Sequence, residues 1–252
     1  MPLVHHSTGG YRFLPGIAPY SCGVVSSPGY EIIHATFQTP VPYRTGFERI
    51  AEHLKECGRP NAALCGIELR SPRPYSFAGF AKFNGEYAAI LKSWGLFENG
   101  MNPVPRTNVA PAVAPPTEPV LYGFSYTQPA ENALAPTIIV AGGGELPEGA
   151  LAREAIVALG DTSPSGLMTK ARFVMNLMAN RLRGLGGDWS IVTAVDVYTV
   201  HPIEQLLPDV ILGPIGAAAV HGIHWHYSRP PIDDIEFEMD LRAVRCEIRL
   251  AE

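Results

Sequence analysis

The same order of apolar strands and amphipathic helices occurs twice along this chain, and this internal repeat constrains the fold more than any other feature. In the first pass, apolar runs predict strands, and the spacing of Phe47, Ile50 and Leu54 predicts a helix. The predicted elements of this pass are, in order, strands 19–27 and 30–37, a helix that Thr45 caps and Gly58 ends, strand 62–70, helix 76–93 and a strand that begins within 103–109.

A second pass follows a proline-rich stretch at 110–119, which is predicted to be a hinge. Its register supports a true repeat, because residues 32–33 match 138–139 in the opening strands and residues 67–69 match 195–197 further on. The predicted elements of this pass are strands 122–130 and 137–143, helix 166–183, strand 189–200, a short helix at 202–212, and strands 219–229 and 235–249.

The repeat predicts two units in one chain, 1–118 and 119–252, which the length of 252 residues allows. The first unit runs from Arg106 through the hinge directly into the next opening strand, so it is predicted to lack a last strand of its own. The second unit has an additional loop at 144–164. Such a loop is either functional or a surface insertion that costs little free energy, and the sequence favours neither.

Charge and composition exclude several classes of function. The net charge is −5 and basic residues are not clustered, so no nucleic-acid partner is expected. The chain has no apolar run long enough to cross a membrane and no signal peptide, so a cytoplasmic protein is expected. The glycines at 142–144 lack the G-x-G-x-x-G spacing of a dinucleotide site. Free thiols rather than a zinc or redox motif are predicted for the cysteines, Cys22, Cys57, Cys65 and Cys246.

Short motifs in both passes resemble those of the Rid (YjgF-type) reactive-intermediate deaminases, a family also known as endoribonuclease L-PSP-like. Members of that family have a Gly-Pro-Tyr-Ser-Gln-Ala strand, an apolar strand ending in Ser-Gly-Gln, a Phe-x-x-x-Asn-x-x-Tyr stretch and a Pro-Ala-Arg-Ser/Thr segment. Their order over nearly the whole chain, rather than any one motif, carries the resemblance. The matching segments are Ala18-Pro19-Tyr20-Ser21-Cys22-Gly23, 31–36, the stretch with Phe80, Asn84 and Tyr87, Pro103-Val104-Pro105-Arg106-Thr107, 124–128 and 137–143.

The resemblance implies a fold and an activity. The fold class would be α/β (α+β), with two tandem chorismate mutase-like units, each a mixed β-sheet with two helices packed on one face. Family members assemble as trimers with clefts between neighbouring units, so a homo-oligomer, a trimer, is expected. They hydrolyse enamines and imines such as 2-aminoacrylate to keto acids and ammonia. Protonating an enamine and hydrating an imine are acid–base steps, so no cofactor is expected.

Arg106 is the first candidate for binding a substrate. It stands where the family's arginine holds the substrate carboxylate, and a planar guanidinium suits a carboxylate with two hydrogen bonds. The alternative is a surface arginine beside a proline-rich loop. Tyr20 and Asn84 match polar positions that line the family's cleft, where they would hold water or substrate, and each is equally compatible with a structural role.

Several departures from the family pattern suggest a split site as one hypothesis. Neither pass has Ser-Gly-Gln, the first pass has no acid in the place of the family's glutamate, and the second pass places His221 where the family has arginine. The last strand of the second pass carries Glu236 and Glu238 at period two. One of them would activate water opposite Arg106 if burial raised its pKa. The opposing hypothesis is that both sites have decayed or been repurposed.

The remaining candidates are histidines and one arginine. His34 ends an apolar strand and is a candidate acid–base group, although a structural role is more common for such a residue. His224 and His226 share a strand face and, with a glutamate, could bind a metal, but a plain polar face is favoured and no metal site is predicted. Arg229 is either a second carboxylate-binding group or, as slightly favoured, an arginine paired with Asp233 or Asp234.

These features predict an enzyme that deaminates a small, carboxylate-bearing enamine or imine, either 2-aminoacrylate-like or aminomuconate-like. One alternative is a lyase or isomerase acting on a related unsaturated carboxylate. Another is a non-catalytic protein that binds a small metabolite. A carboxyl group in the same cleft as Arg106 would favour the hydrolytic enzyme over the binding protein.

Overall fold

The structure is a computed structural model that describes residues 2–131, 135–150 and 152–251, which form two mixed β-sheets with helices packed on them. The strands are β1 (Val4–His5), β2 (Tyr11–Leu14), β3 (Gly23–Ser26), β4 (Tyr30–Pro42), β5 (Leu64–Arg70), β6 (Arg106–Pro111), β7 (Val120–Pro129), β8 (Ile138–Gly144), β9 (Ala194–Tyr198), β10 (His224–His226), β11 (Ser228–Arg229), β12 (Glu238–Ala243) and β13 (Cys246–Leu250). The helices are α1 (Tyr43–Glu56), α2 (Phe77–Ser93), α3 (Pro164–Gly184) and the short α4 (Gly213–Ile215).

The first sheet has the strand order β11-β6-β5-β7-β4-β13, and α1 and α2 pack against it. The predicted helical spacing is confirmed, since Phe47, Ile50 and Leu54 of α1 are all buried in the core beneath this sheet. Ser76 caps α2 by accepting a hydrogen bond from the backbone of Gly79. The predicted cap at Thr45 is wrong, because β4 continues directly into α1, which begins at Tyr43 without a side-chain cap.

The second sheet has the order β1-β2-β3-β8-β12-β9-β10, and α3 covers it. The buried face of α3 includes Val174, Met178 and Leu182, which pack against Val140 of β8 and Val197 of β9 in one apolar cluster. The two sheets meet where Thr107 Oγ1 of β6 donates a hydrogen bond to Asp240 Oδ2 of β12 at 2.5 Å.

One strand order recurs in both sheets. The strands β6-β5-β7-β4 of the first sheet correspond to β10-β9-β12-β8 of the second, and in each set one pair is parallel and two are antiparallel. Along the chain, each set opens with a strand and a helix, namely β4 and α1 or β8 and α3. The repeat seen in the sequence therefore corresponds to a repeated arrangement of strands.

The strand pairing differs from the predicted partition of the chain. β7, which the sequence placed at the start of the second unit, lies between β4 and β5, so the first sheet has the last strand that was expected to be missing. The reason is apolar burial, since Leu121 and Phe124 of β7 complete the core under α1 and α2. The hairpin of β2 and β3 extends the second sheet beside β8 instead.

Several predicted boundaries also shift. The stretch after β6 is a loop that joins β6 to β7 within one sheet, and not a hinge between units. The predicted strand 235–249 is two strands in different sheets, β12 and β13. Residues 216–221 form a 3₁₀ turn, not a strand, and this turn ends at Gly222, whose φ of 72° is favourable only for glycine. Among the described residues, no helix has the length and apolar character needed to cross a membrane.

Candidate active site

A cavity of about 260 Å³ lies where residues of both sheets meet. It contains a buried arginine, Arg106, and a buried carboxyl group, Glu238. The loop before β3, the first sheet with α2, the second sheet with α3, and the loop after β8 each supply part of its wall. The residues that line it are Gly16, Ile17, Tyr20, Cys22, Phe80, Arg106, Asn108, Gly142, Gly143, Gly144, Leu146, Pro147, Glu148, Gly149, Ala150, Leu177, Arg181, Pro231, Ile232, Ile235 and Glu238.

Arg106, the first residue of β6, is only 3% exposed. Its Nη2 donates a hydrogen bond to Asn84 Oδ1 at 2.6 Å, whereas its buried Nη1 has no partner among the described residues. Burial lowers the pKa of Arg106, but an arginine keeps its charge in proteins. A buried cation with an unused donor is suited to a carboxylate. Four rings surround the guanidinium, those of Tyr87, Tyr20, Phe80 and Phe83, with centroids at 4.7, 4.9, 5.4 and 5.7 Å.

Glu238, the first residue of β12, supplies the carboxyl group of the cavity and is 4% exposed. Burial raises the pKa of Glu238 to about 8, against the opposing effect of the positive charges of Arg181 and Arg106. The group therefore carries a proton at neutral pH and can act as an acid. Gly142 of β8 makes room for it, because a Cβ at that position would collide with Oε1 of Glu238.

Arg181 is a second arginine in the cavity, and the sequence analysis missed it. It extends from α3, where its Nε donates to Glu148 Oε1 at 2.7 Å and its Nη1 donates to the carbonyl oxygens of Ala141 and Gly142 at 2.9 and 3.2 Å. The signal that could have revealed it is a charged residue on the apolar, buried face of a helix.

Cys22 lies in the same cavity and donates a hydrogen bond from its thiol to Glu148 Oε1 at 3.3 Å. Burial raises the pKa of the Cys22 thiol to about 11. At neutral pH the group is therefore a thiol rather than a nucleophilic thiolate.

Two other predicted site residues lie beside Arg106. Tyr20 lines the cavity, and burial raises the pKa of its hydroxyl, so it remains a neutral hydrogen-bonding group. Asn84 holds the guanidinium of Arg106 in place and does not line the cavity itself.

Glu236 and Arg229 lie outside the cavity and interact with each other. The Oε2 atom of Glu236 is 2.8 Å from His201 Nε2 and 3.7 Å from Arg229 Nη1. The expected pairing of Arg229 with Asp233 or Asp234 is therefore wrong, and Asp234 pairs with Arg153 instead. Glu236 precedes β12, so the alternation of the strand does not place it beside Glu238.

The structure places His34 and His221 away from Arg106. His34 of β4 is buried, with Nδ1 3.2 Å from Ser125 Oγ and Nε2 3.4 Å from Glu68 Oε1, and burial lowers its pKa. His221 is exposed in the 3₁₀ turn. In the first sheet, Arg106 of β6 pairs with Ile67 of β5. In the second sheet, the equivalent position beside β9 is occupied by Ile223. His221 therefore does not stand where the family has its arginine.

A second cavity, of about 310 Å³, is lined by His34, His224 and His226. Asp196 Oδ1 accepts hydrogen bonds from His226 Nε2 at 2.9 Å and His224 Nδ1 at 3.2 Å, and its Oδ2 accepts one from Arg242 Nη1 at 2.5 Å. Asp196 is thus the partner of both histidines and of Arg242. The two histidines therefore do not contact Glu236 or Glu238, as the metal hypothesis required. Within 2–131, 135–150 and 152–251, no three His, Cys, Asp or Glu side chains are arranged to hold a metal ion.

A cavity that combines a buried arginine with an acid that is protonated at neutral pH is suited to acid–base chemistry on a small anion. Residues 3–248 match the family model described as 2-aminomuconate deaminase CnbZ, and the chain belongs to this family. The 2-amino-5-chloromuconate deaminase of Comamonas testosteroni is 42% identical over 243 residues, which are 95% of this chain and 96% of that protein. The chain is thus a deaminase that acts on a C–N bond, which excludes the non-catalytic alternative.

The architecture of the two sheets is also found in a solved structure. A chorismatase aligns with a TM-score of 0.52 over 96% of this chain and 80% of its own, at 11% sequence identity. At that identity the likeness concerns the fold alone. It fits a mixed α/β fold with two sheets in one chain.

Proposed function

We propose that the chain hydrolyses an aminomuconate-like enamine or imine to the corresponding keto acid and ammonia, in the cavity that Arg106 and Glu238 share. The observation that carries the proposal is the unpartnered Nη1 of Arg106 in a cavity with a protonated carboxyl group. β6 and β12 belong to different sheets, which supports the split site predicted from the sequence, and we propose Glu238 as its acid. The muconate substrates named for the family and the relative favour an aminomuconate over 2-aminoacrylate.

The proposed reaction consumes one water molecule and releases one ammonia molecule. Arg106 binds the carboxylate next to the carbon that carries nitrogen. Glu238 gives its proton to the enamine carbon, which leaves an iminium ion and a Glu238 carboxylate. That carboxylate takes a proton from water as the water oxygen bonds to the iminium carbon. Glu238 then passes this proton to nitrogen. As the C–N bond breaks, the hydroxyl proton returns to the Glu238 carboxylate, which leaves a carbonyl group, ammonia and the acid in its original form.

The surroundings of the site support this sequence of steps. Tyr20 keeps its phenolic proton and can donate a hydrogen bond to substrate or water within the cavity. Asn84 fixes Arg106 and leaves one edge of the guanidinium for the carboxylate. The loop after β8 closes one side of the cavity with residues 146–150, which gives the additional loop of the second pass a role in the site.

The test is ammonia release from 2-aminomuconate by the wild type, Arg106→Ala and Arg229→Ala. We expect Arg106→Ala to lower kcat/KM by about 100-fold, since a charge-assisted pair is lost. Arg229→Ala, at an arginine outside the cavity, should stay within about twofold of the wild type. A parallel assay would generate 2-aminoacrylate from serine with a dehydratase and trap it with semicarbazide. Activity on 2-aminoacrylate alone would contradict the proposed substrate class.

We propose that the two sheets represent two Rid-like units. In this division, the opening hairpin of the chain belongs to the second unit, and β7 belongs to the first. The shared strand order supports this division, with one unit running from β4 to β7 and the other from β8 to β12.

In keeping with the Rid family, we propose that the protein assembles as a homo-oligomer, a trimer, in the cytoplasm. Light scattering of the purified protein should then give three times the mass of one chain, and a monomer would contradict this proposal.

A further inference from the structure

We infer that Arg181 binds a second carboxylate of the substrate, so that the cavity selects dicarboxylates over monocarboxylates. This inference rests on the function proposed above, and it names a residue that determines substrate specificity. An aminomuconate has a carboxylate at each end of its carbon chain, and Arg106 accounts for one of them.

The hydrogen bonds of Arg181 to other described residues leave only Nη2 of its guanidinium for a ligand. Nε is bound to Glu148, and Nη1 is bound to the carbonyl oxygens of Ala141 and Gly142. These contacts fix the plane of the group, whereas Nη2 has no hydrogen-bond partner in the part of the chain that the structure describes. The residue is 7% exposed and lines the cavity, so its guanidinium is largely removed from bulk water. A planar donor held in this way suits a carboxylate.

The positions of the two arginines suit a ligand with two charged ends. Arg106 comes from β6 of the first sheet and Arg181 from α3 on the second, and both line the one cavity. The positive charges of both act on Glu238, so the acid lies within the electrostatic range of each. A dicarboxylate that bridges the arginines would place its carbon chain beside the carboxyl group that transfers the proton.

A purely structural role for Arg181 is the competing explanation, because its bonds to two carbonyl oxygens of β8 also tie α3 to the sheet. The two explanations differ in what they predict for ligands. A structural role would affect all ligands of the cavity alike. A role in specificity would affect only ligands that have a second carboxylate.

The experiment is calorimetric binding of muconate, a dicarboxylate, and sorbate, a monocarboxylate with the same number of carbon atoms. We expect the wild type to bind muconate about 10- to 100-fold more tightly, as suits one additional charge-assisted contact. Arg181→Gln should remove this preference and leave sorbate binding within about threefold, whereas Arg106→Ala should weaken both ligands. Arg183→Gln, at an exposed arginine of the same helix, is the matched control and should keep the preference.

Equal weakening of both ligands in Arg181→Gln, or no preference for muconate in the wild type, would overturn the inference. If Arg181→Gln does not fold, as judged by its thermal transition, the same binding measurements are made on Arg181→Lys. Lysine keeps the charge without the planar donor edge, so it should retain only part of the preference. Binding is measured without turnover, so failure of the proposed function would be visible separately, as the absence of ammonia release from a protein that still prefers muconate.

Discussion

At the scale of single residues, the protonation of Glu238 controls the proposed chemistry. An ordinary glutamate is ionised at neutral pH and could not donate a proton to an enamine carbon. Burial reverses this at Glu238, because the loss of hydration in the cavity costs the charged form far more free energy than the neutral form. The same desolvation explains why the two nearby arginines do not pull the pKa back to its usual range.

The pH dependence of the reaction follows from that pKa. Because burial raises the pKa of Glu238 to about 8, the acid form is present below that pH and disappears above it. We therefore expect kcat/KM to fall as the pH rises through about 8, which a pH–rate profile would measure. Glu238→Gln should lower kcat by roughly 100- to 10,000-fold. Glu236→Gln, two residues away and outside the cavity, is the control, and an equal loss there would count against Glu238 as the acid.

The order of the motifs predicted which residues lie near Arg106, while their roles remain proposals. Arg106 and Tyr20 share the cavity, and Asn84 holds Arg106, as the order of the motifs indicated. Arg181 could not be found in this way, since its place in the site depends on how α3 packs against β8. His34 lies apart from Arg106 because it lines the second cavity.

At the scale of elements, the loop that closes the cavity is fixed by a completely buried ion pair. Lys170 of α3 donates from Nζ to Glu145 Oε1 at 3.1 Å, and both side chains are 0% exposed. Glu145 also accepts hydrogen bonds from the backbone N–H groups of Glu236 and Phe237, at 2.7 and 3.0 Å. One carboxylate thus connects the start of the loop, helix α3 and the approach to Glu238 in β12.

Removing one partner of this pair should be costly, because it leaves a buried charge without compensation. We expect Lys170→Met to lower the free energy of unfolding by about 3–5 kcal/mol, as measured with a chemical denaturant. The double variant Glu145→Gln/Lys170→Met should lose less than the sum of the two single losses. Arg44→Ala, which removes an exposed pair with Glu86 at 3.4 Å, should cost less than about 1 kcal/mol. Additive losses at the buried pair would show that the two residues act independently.

The sequence predicted the elements better than their partners in the sheets. The helices α1, α2 and α3 were located from apolar spacing, which is a local property. Strand pairing depends on contacts between distant segments. The sequence therefore did not reveal that β7 and β13 both belong to the first sheet. The sequence could nevertheless suggest that Arg106 and Glu238 share one cavity, because this required only that an arginine of one pass meet an acid of the other.

At the scale of the whole molecule, charged groups hold the two sheets together around the second cavity. Asp196 and Arg242 belong to the second sheet, and Arg242 Nε donates to Glu247 Oε1 of β13, in the first sheet, at 2.6 Å. Burial raises the pKa of Asp196, but hydrogen bonds from His224 and His226 and the charge of Arg242 outweigh this effect and hold the pKa well below its usual value.

This cluster should make the stability of the whole molecule depend on pH in two directions. The lowered pKa of Asp196 stabilises the fold above about pH 4, and this contribution is lost as the pH falls through the folded-state pKa. The hydrogen bond to Asp196 raises the pKa of His224, so its contribution is present below about pH 6.5 and is lost as the pH rises through the raised value. Both contributions are therefore complete only between about pH 4 and 6.5.

Asp196→Asn tests this arrangement, because it keeps the shape of the side chain but removes the charge shared by the two histidines and Arg242. We expect a loss of about 3–5 kcal/mol at pH 6, since the Arg242 guanidinium stays largely buried beside a neutral group. The Tm of the variant should also vary less between pH 5 and about 8, because the variant lacks the carboxylate of Asp196 that raises the pKa of His224 on folding. Asp188→Asn, at an exposed aspartate, controls for the general effect of charge. A Tm that changes with pH equally in Asp196→Asn and the wild type would show that this cluster does not set the pH dependence of stability.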